Sequence, residues 1–186
     1  MNRPVLRPLP EHSLLFAYHA KGDYTDCFTV DAAGDVSRQQ FVTAFYTSRL
    51  FKAERFILKW LVAKPSTDRQ AGLLASGSID SFAAWTVEDR KPHQLLMCDY
   101  QGRTRSWLMV EPIAAGHGAA TRVFFGTGVV SATDRKTGRK TMPLLFRLLL
   151  GFHRRYARAL LRSAVTKLGA KLSYPPAEAS DRQIKR

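Results

Sequence analysis

The segment MPLLFRLLLGFHRRYARALLRSAV, from Met142 to Val165, constrains this chain more than any other stretch. Pro143 suits the first turn of a helix, and Gly169 is a natural C-terminal cap, so one long helix is expected to run to about Leu168. At about 100° per residue, Leu145, Leu148, Leu149, Phe152, Tyr156 and Leu160 fall in one sector, with Phe146, Leu150, Ala157 and Ala164 beside it. Arg147, Gly151, Arg154, Arg155, Arg158 and Arg162 fall in the opposing sector. Burying those large side chains, at roughly 1.5 to 3 kcal/mol each, outweighs any single exposed arginine contact. The helix must therefore lie on an apolar surface and leave its arginines to water. It is not a membrane span, because PLLFRLLLGF is short and contains Arg147.

That surface has to come from the same chain or a partner. At 186 residues, 45% hydrophobic and 11% aromatic, the chain is long and apolar enough for one domain with a real core. The net charge of +14 is uneven: from Asp134 onward, 14 Lys/Arg against three acids contribute +11 of it. A basic final quarter makes an anionic surface a partner to weigh, whether headgroups or nucleic acid, against the plainer reading of a solvated helix face and tail. Cys27 and Cys98, far apart and in strand-like stretches, read as two reduced core thiols in a reducing, cytoplasmic compartment. The N-terminal residues do not read as a signal peptide; Pro4, Pro8 and Pro10 predict an extended, loosely held arm.

After the arm, DYTDCFTV (Asp23 to Val30) alternates and reads as a strand. Ser37 and Gln40 have capping-box spacing, and apolar residues recur at helical intervals from Ser37 to Ala63. The pattern slips at Ser48–Leu50, which predicts two consecutive helices or one bent one, ending before Pro65. A short strand near AGLLAS precedes a β meander: GSIDSFAAWTVEDR, HQLLMCDY, RTRSWLMVEP and TRVFFGTGVVSA. Gly102 in the Gln101–Gly102 loop tolerates positive φ, and the resulting hairpin sets Cys98 opposite Arg105 and Leu96 opposite Trp107. Both hairpin faces are apolar, so the sheet should be covered twice, by helix on one side and by a second subunit, as in a homodimer, on the other. Gly126–Gly128 (GTG) reads as a bulge or bend, and TDRKTGRKT (Thr133 to Thr141) as a charged loop.

Strand, helical pair, meander and long last helix, carried by DYTDCFTV, residues Ser37 to Ala63, LLMCDYQGRTRSWLMVEP and the opening segment, resemble the helix-grip fold of the START-like (SRPBCC) superfamily. The texture is similar to a bacterial group within it whose members end in such a helix. The resemblance implies an α+β fold in which a curved antiparallel sheet wraps around the C-terminal helix. Its layout would be an arm at 1–20, a single START-like domain at 21–170 and a polar basic tail at 171–186. It also implies a cavity between sheet and helix that holds an apolar or aromatic small molecule, lipid-like or polyketide-like. In cyclases and aromatases of the superfamily that cavity is an active site.

On this reading Trp85, Trp107, Phe125, Leu148, Phe152 and Tyr156 are expected to line the cavity. Arg105, beside Trp107, either anchors a carboxylate or phenolate there or is a strand-edge arginine in solvent. Catalysis has no motif behind it. None of the five histidines has a metal-ligand neighbour, no nucleophile elbow or phosphate loop occurs, and Asp80, Asp99 and Glu111 are single acids on different strands. His153 reads as a boundary residue on the helix, and no cofactor or metal is called for. If an enzyme is hidden here, close polar groups are expected around Arg105, Asp99 or His93. Nucleic-acid binding is disfavoured because Trp85, Trp107, Phe124 and Phe125 are not interleaved with the basic residues. The remaining alternative is peripheral attachment to an anionic membrane through Arg147, Arg154, Arg155, Arg158 and Arg162.

Overall fold

The Gln101–Gly102 hairpin forms in the expected register, with Cys98 opposite Arg105, Leu96 opposite Trp107, and Gly102 at φ +70°. The computed structural model describes residues 3–61, 65–115, 118–133, 140–141 and 144–172. Residues 134–139 of the expected charged loop, Pro143 and the tail beyond Leu172 lie outside the described residues, as do the side chains of Arg147 and Leu148.

In chain order the elements are β1 (Val5–Leu6), α1 (Phe16–Ala20), β2 (Tyr24–Ala33), α2 (Arg38–Tyr46), α3 (Arg49–Leu61) and α4 (Asp68–Ser76). Then come β3 (Ser81–Phe82), β4 (Trp85–Lys91), β5 (Gln94–Asp99), β6 (Thr104–Ala115), β7 (Gly118–Val129), β8 (Ala132–Thr133), β9 (Lys140–Thr141) and α5 (Leu144–Leu172). Seven strands form one sheet in the order β1-β2-β7-β6-β5-β4-β3, every neighbouring pair antiparallel. The class is thus α+β, as the element order predicts.

Ser37 and Gln40 do form a capping box at the start of α2: the Ser37 hydroxyl accepts from the Gln40 amide and the Gln40 side chain accepts from the Ser37 amide. A second box, Thr67 with Gln70, opens α4, and Gly77 closes it in the left-handed region at φ +90°. AGLLAS is therefore helix, not the expected strand. The last helix also overruns its expected end, since Gly169 sits inside α5. Lys167 ties α5 to the end of α2: its Nζ donates to the Thr47 carbonyl at 2.7 Å and to Thr47 Oγ1 at 2.6 Å. A cation at a helix C-terminus satisfies carbonyls that the helix itself cannot.

Two apolar clusters occupy the two sheet faces. The larger holds Phe28, Phe125, Leu108, Val110 and Val123 against α2, α4 and the Ala157, Leu161, Ala164, Leu168 face of α5. The smaller gathers Cys27, Leu96, Trp107, Met109 and Phe124 on the opposite face, and its cover is the N-terminal stretch. That stretch is not loose. β1 pairs with β2, Leu15 is fully buried, and Gln94 accepts the Leu14 amide at 2.9 Å while donating to the His12 carbonyl at 3.1 Å. The apolar second face that suggested a subunit is thus covered by the chain itself.

The expected bulge at GTG does not form; pairing runs unbroken through Gly126 and Gly128 on both sides. The glycines serve close approach instead. A Cβ on Gly126 would lie 2.8 Å from the Trp107 ring and 3.0 Å from Leu15, and one on Gly128 would lie 2.9 Å from Leu15. Next to this floor, burial and then the charge of Asp26 push the Cys27 thiol up to about 12, and burial also raises Cys98. The thiolate is the reactive form, so the native protein is expected to react very slowly with an aromatic disulfide reagent at pH 8. In denaturant both cysteines should react at once; rapid labelling of Cys27 in the native state would contradict its buried place.

Candidate functional site

Between the inner sheet face and α5 lies a cavity of about 220 Å³. Register builds its floor. One cross-strand row is apolar: Phe28, Phe125, Leu108 and Leu95 lie side by side on β2, β7, β6 and β5. Two residues along, the next row is Asp26, Thr127 and Ser106. Since alternate residues share a face, this polar row points to the same side as the apolar one. Phe45 from α2 and Phe51 from α3 form one wall, with Trp85 of β4. The roof is His153, Tyr156, Ala157 and Leu160, spaced as one face of α5. The cavity is therefore apolar over most of its surface and polar at one end, to which Thr104, Ser106, Thr127 and His153 contribute.

At that end Asp26 organises its neighbours. It is 5% exposed, accepts the Thr127 amide at 3.2 Å and the Tyr24 hydroxyl at 2.9 Å, and has Oδ2 3.6 Å from His153 Nε2. Burial pushes the Asp26 carboxyl above the ordinary range against the pull of His153, and burial pushes His153 below the usual imidazole range against Asp26. Both shifts favour uncharged forms, as removal from water requires. Thr127 is 6% exposed, and its Oγ1 has no hydrogen-bond partner among the described residues.

Of the expected lining, Trp85, Phe125 and Tyr156 are brought together here. Trp107 is not: it is fully buried on the opposite face, its Nε1 donating to Gln94 Oε1 at 2.9 Å and its ring 5.9 Å from that of Phe124. Arg105 shares that face. The cavity touches its strand, but alternation carries the side chain away, where Nε donates to Tyr18 Oη at 2.8 Å and pairs with Glu88. It is neither the cavity's anchor nor a solvent-edge arginine, with a side chain only 11% exposed. Phe152 is 68% exposed and stacks on Tyr156 at 6.1 Å from outside.

The packed face of α5 is not the sector that its bulkiest residues define. The apolar sector was set by the large residues of the first turns, whereas the packed face in the described part is Ala157, Leu160, Leu161, Ala164 and Leu168. That face lies roughly 100° further round, because two alanines let the helix approach closely. Arg154, Arg155, Arg158 and Arg162 are exposed, as expected, yet two of them are engaged. Arg154 Nε donates to Tyr24 Oη at 3.4 Å, and the Arg158 guanidinium sits 5.3 Å from the Phe28 ring centre.

Of the polar groups around which an enzyme was expected, Arg105 does gather close partners, Tyr18 and Glu88, but on the sheet face away from the cavity, and Asp99 and His93 do not join them. Asp99 caps the hairpin turn through the Arg103 and Thr104 amides, and His93 is exposed in the turn between β4 and β5. Sequence reasoning missed Asp26 altogether and gave His153 no role. A larger, more open groove of about 360 Å³ runs along β2 beneath the arm, bordered by Arg7, His19 and Arg154. No group of three or more potential metal ligands exists among the described residues, and no described helix is long and apolar enough to cross a membrane. Neither a family model nor a curated protein matches the chain, which leaves the geometry of the cavity to carry its function.

Proposed function

We propose that this chain is a binding domain for a small aromatic or apolar molecule, held between the meander and α5 in a helix-grip, START-like arrangement. The observation that carries this reading is the cavity itself, a space of about 220 Å³ lined by Phe45, Phe51, Trp85, Phe125 and Tyr156. A partly open, mainly apolar space of this size lets a ligand exchange water for close side-chain contacts. Its volume lies above the roughly 150 Å³ that accommodates benzene and below the roughly 300 Å³ at which drug-sized sites begin. One aromatic ring, or two fused rings, is the matching size. The long helix laid over an antiparallel sheet, with helices inserted after the first long strand, supports the helix-grip assignment.

The test is a thermal-shift screen of aromatic and short-chain apolar compounds. A ligand present at about 100 times its Kd adds about 2.7 kcal/mol, which in a domain of this length raises Tm by several degrees. Ala157→Leu places three extra carbons in the space; it should abolish that rise and lower the unliganded stability by about 1 to 3 kcal/mol, because Ala157 also belongs to the packed face of α5. No stabilising compound, or an undiminished shift in Ala157→Leu, would overturn the proposal.

A further inference from the structure

We propose that the polar end of this cavity is a subsite for one uncharged hydroxyl group, so that the occupant is a neutral phenol or aromatic alcohol rather than a carboxylate or phosphate. The inference rests on the binding reading above and narrows it to a ligand chemistry.

Thr127 carries the first half. Its hydroxyl is buried, lines the cavity, and has no hydrogen-bond partner among the described residues. A buried hydroxyl left unpaired is costly, and native interiors seldom tolerate one without a partner that occupies the space in front of it. Ser106 lies directly across from Thr127 in the same row, and His153 faces them from α5. A ligand hydroxyl at this end can accept from Thr127 and donate to Ser106, whereas a methyl group there would leave the Thr127 hydroxyl unsatisfied.

The second half is the charge around the site. An anion taken out of water needs a cation or several donors to compensate it. Arg105, the basic side chain nearest by sequence, is turned to the other face and held by Glu88 and Tyr18. Arg154 is exposed on α5 and reaches Tyr24. Arg158 is exposed and lies over Phe28. Among the described residues, the basic side chain that faces the cavity is His153, and Asp26 stands 3.6 Å behind it. A ligand carboxylate would compete with Asp26 for the same imidazole, with the two acids close together in a poorly solvated site. An uncharged hydroxyl meets no such opposition.

Three probes of one shape separate the possibilities: p-cresol, toluene and 4-methylbenzoate, titrated by calorimetry or ligand-observed NMR at pH 7.5. Wild type is expected to bind p-cresol and toluene, and to show no binding of 4-methylbenzoate at concentrations that saturate with p-cresol. Thr127→Val is isosteric and removes only the unpartnered hydroxyl, so it should fold at least as stably as wild type. It should lower the p-cresol to toluene affinity ratio about five- to tenfold, the contribution of one hydrogen bond, while toluene binding stays within twofold. An unchanged ratio in Thr127→Val, or 4-methylbenzoate binding as tightly as p-cresol, overturns the subsite while leaving the aromatic cavity standing. Failure of all three probes to bind overturns both. The comparison of probes in wild type does not depend on the variant.

Discussion

Trp107→Ala is expected to cost about 3 to 5 kcal/mol, a large share of the roughly 5 to 15 kcal/mol that holds a domain together. The residue is fully buried on the sheet face away from α5, and three partners depend on it. Its ring fills the space above Gly126, where a Cβ would come within 2.8 Å. The same ring supports Leu15, and through it the N-terminal stretch. Its Nε1 shares Gln94 Oε1 with the Leu14 amide, both at 2.9 Å. Truncation therefore opens a cavity and loosens the seat of Leu15 in one step. Guanidinium denaturation measures the first effect as a lower midpoint. Limited proteolysis measures the second, with cleavage between residues 7 and 22 appearing in the variant before the rest of the chain is cut. Trp107→Phe keeps most of the apolar contact and leaves Gln94 Oε1 bonded to Leu14, so it should cost markedly less. A Trp107→Ala loss under about 1 kcal/mol would mean that the arm, not the tryptophan, organises this face.

The place of Trp107 also marks where the sequence was legible and where it was not. Local rules carried far: the Ser37–Gln40 box, the break at Ser48–Leu50 and the turn at Gly102 each need only neighbouring residues, and each is found. Register follows from the turn, so the pairing of Leu96 with Trp107 is readable in the sequence alone. The side to which that pair points is not, because both faces of the hairpin are apolar and period-two alternation has no sign. What covers the second face was hidden for a related reason. Leu9, Leu14, Leu15 and Tyr18 form no regular period among prolines and charges, although together they make the cover.

AGLLAS is a different case. A short apolar run does not distinguish helix from strand, but Thr67, Gln70 and Gly77 are a start and a stop signal that would have settled it. The site was the least legible part. His153 meets Asp26 across 127 positions of sequence, and only the folded register of β2, β7 and β6 puts Asp26, Thr127 and Ser106 in a row. One signal was present. His153 keeps the i, i+3, i+4, i+7 spacing with Tyr156, Ala157 and Leu160, but the bulk of Phe152 and the leading leucines drew the apolar face the wrong way round the helix.

Phe45→Ala tests the cavity from its most crowded wall. Phe45 is 1% exposed, and its ring centre lies 4.8 Å from that of Phe125, 5.3 Å from Tyr46, 5.8 Å from Phe51 and 6.2 Å from Phe41. It is the common member of these pairs, so its removal deletes several aromatic contacts together with a buried phenyl group. A loss of about 3 to 5 kcal/mol is expected in thermal or chemical denaturation. The consequence for binding runs the other way. Because Phe45 lines the existing space, truncation enlarges that space instead of opening an isolated void. A two-ring phenol such as 2-naphthol should then stabilise the variant more than it stabilises wild type, recovering part of the lost stability, while Thr127 and His153 still meet its hydroxyl. The ordering separates two accounts of the interior. If Phe45 is only core, the new void takes naphthalene as readily as 2-naphthol; if it is the wall of a cavity with a polar end, 2-naphthol stabilises the variant more than naphthalene does, and the gain disappears when Ala157→Leu refills the space.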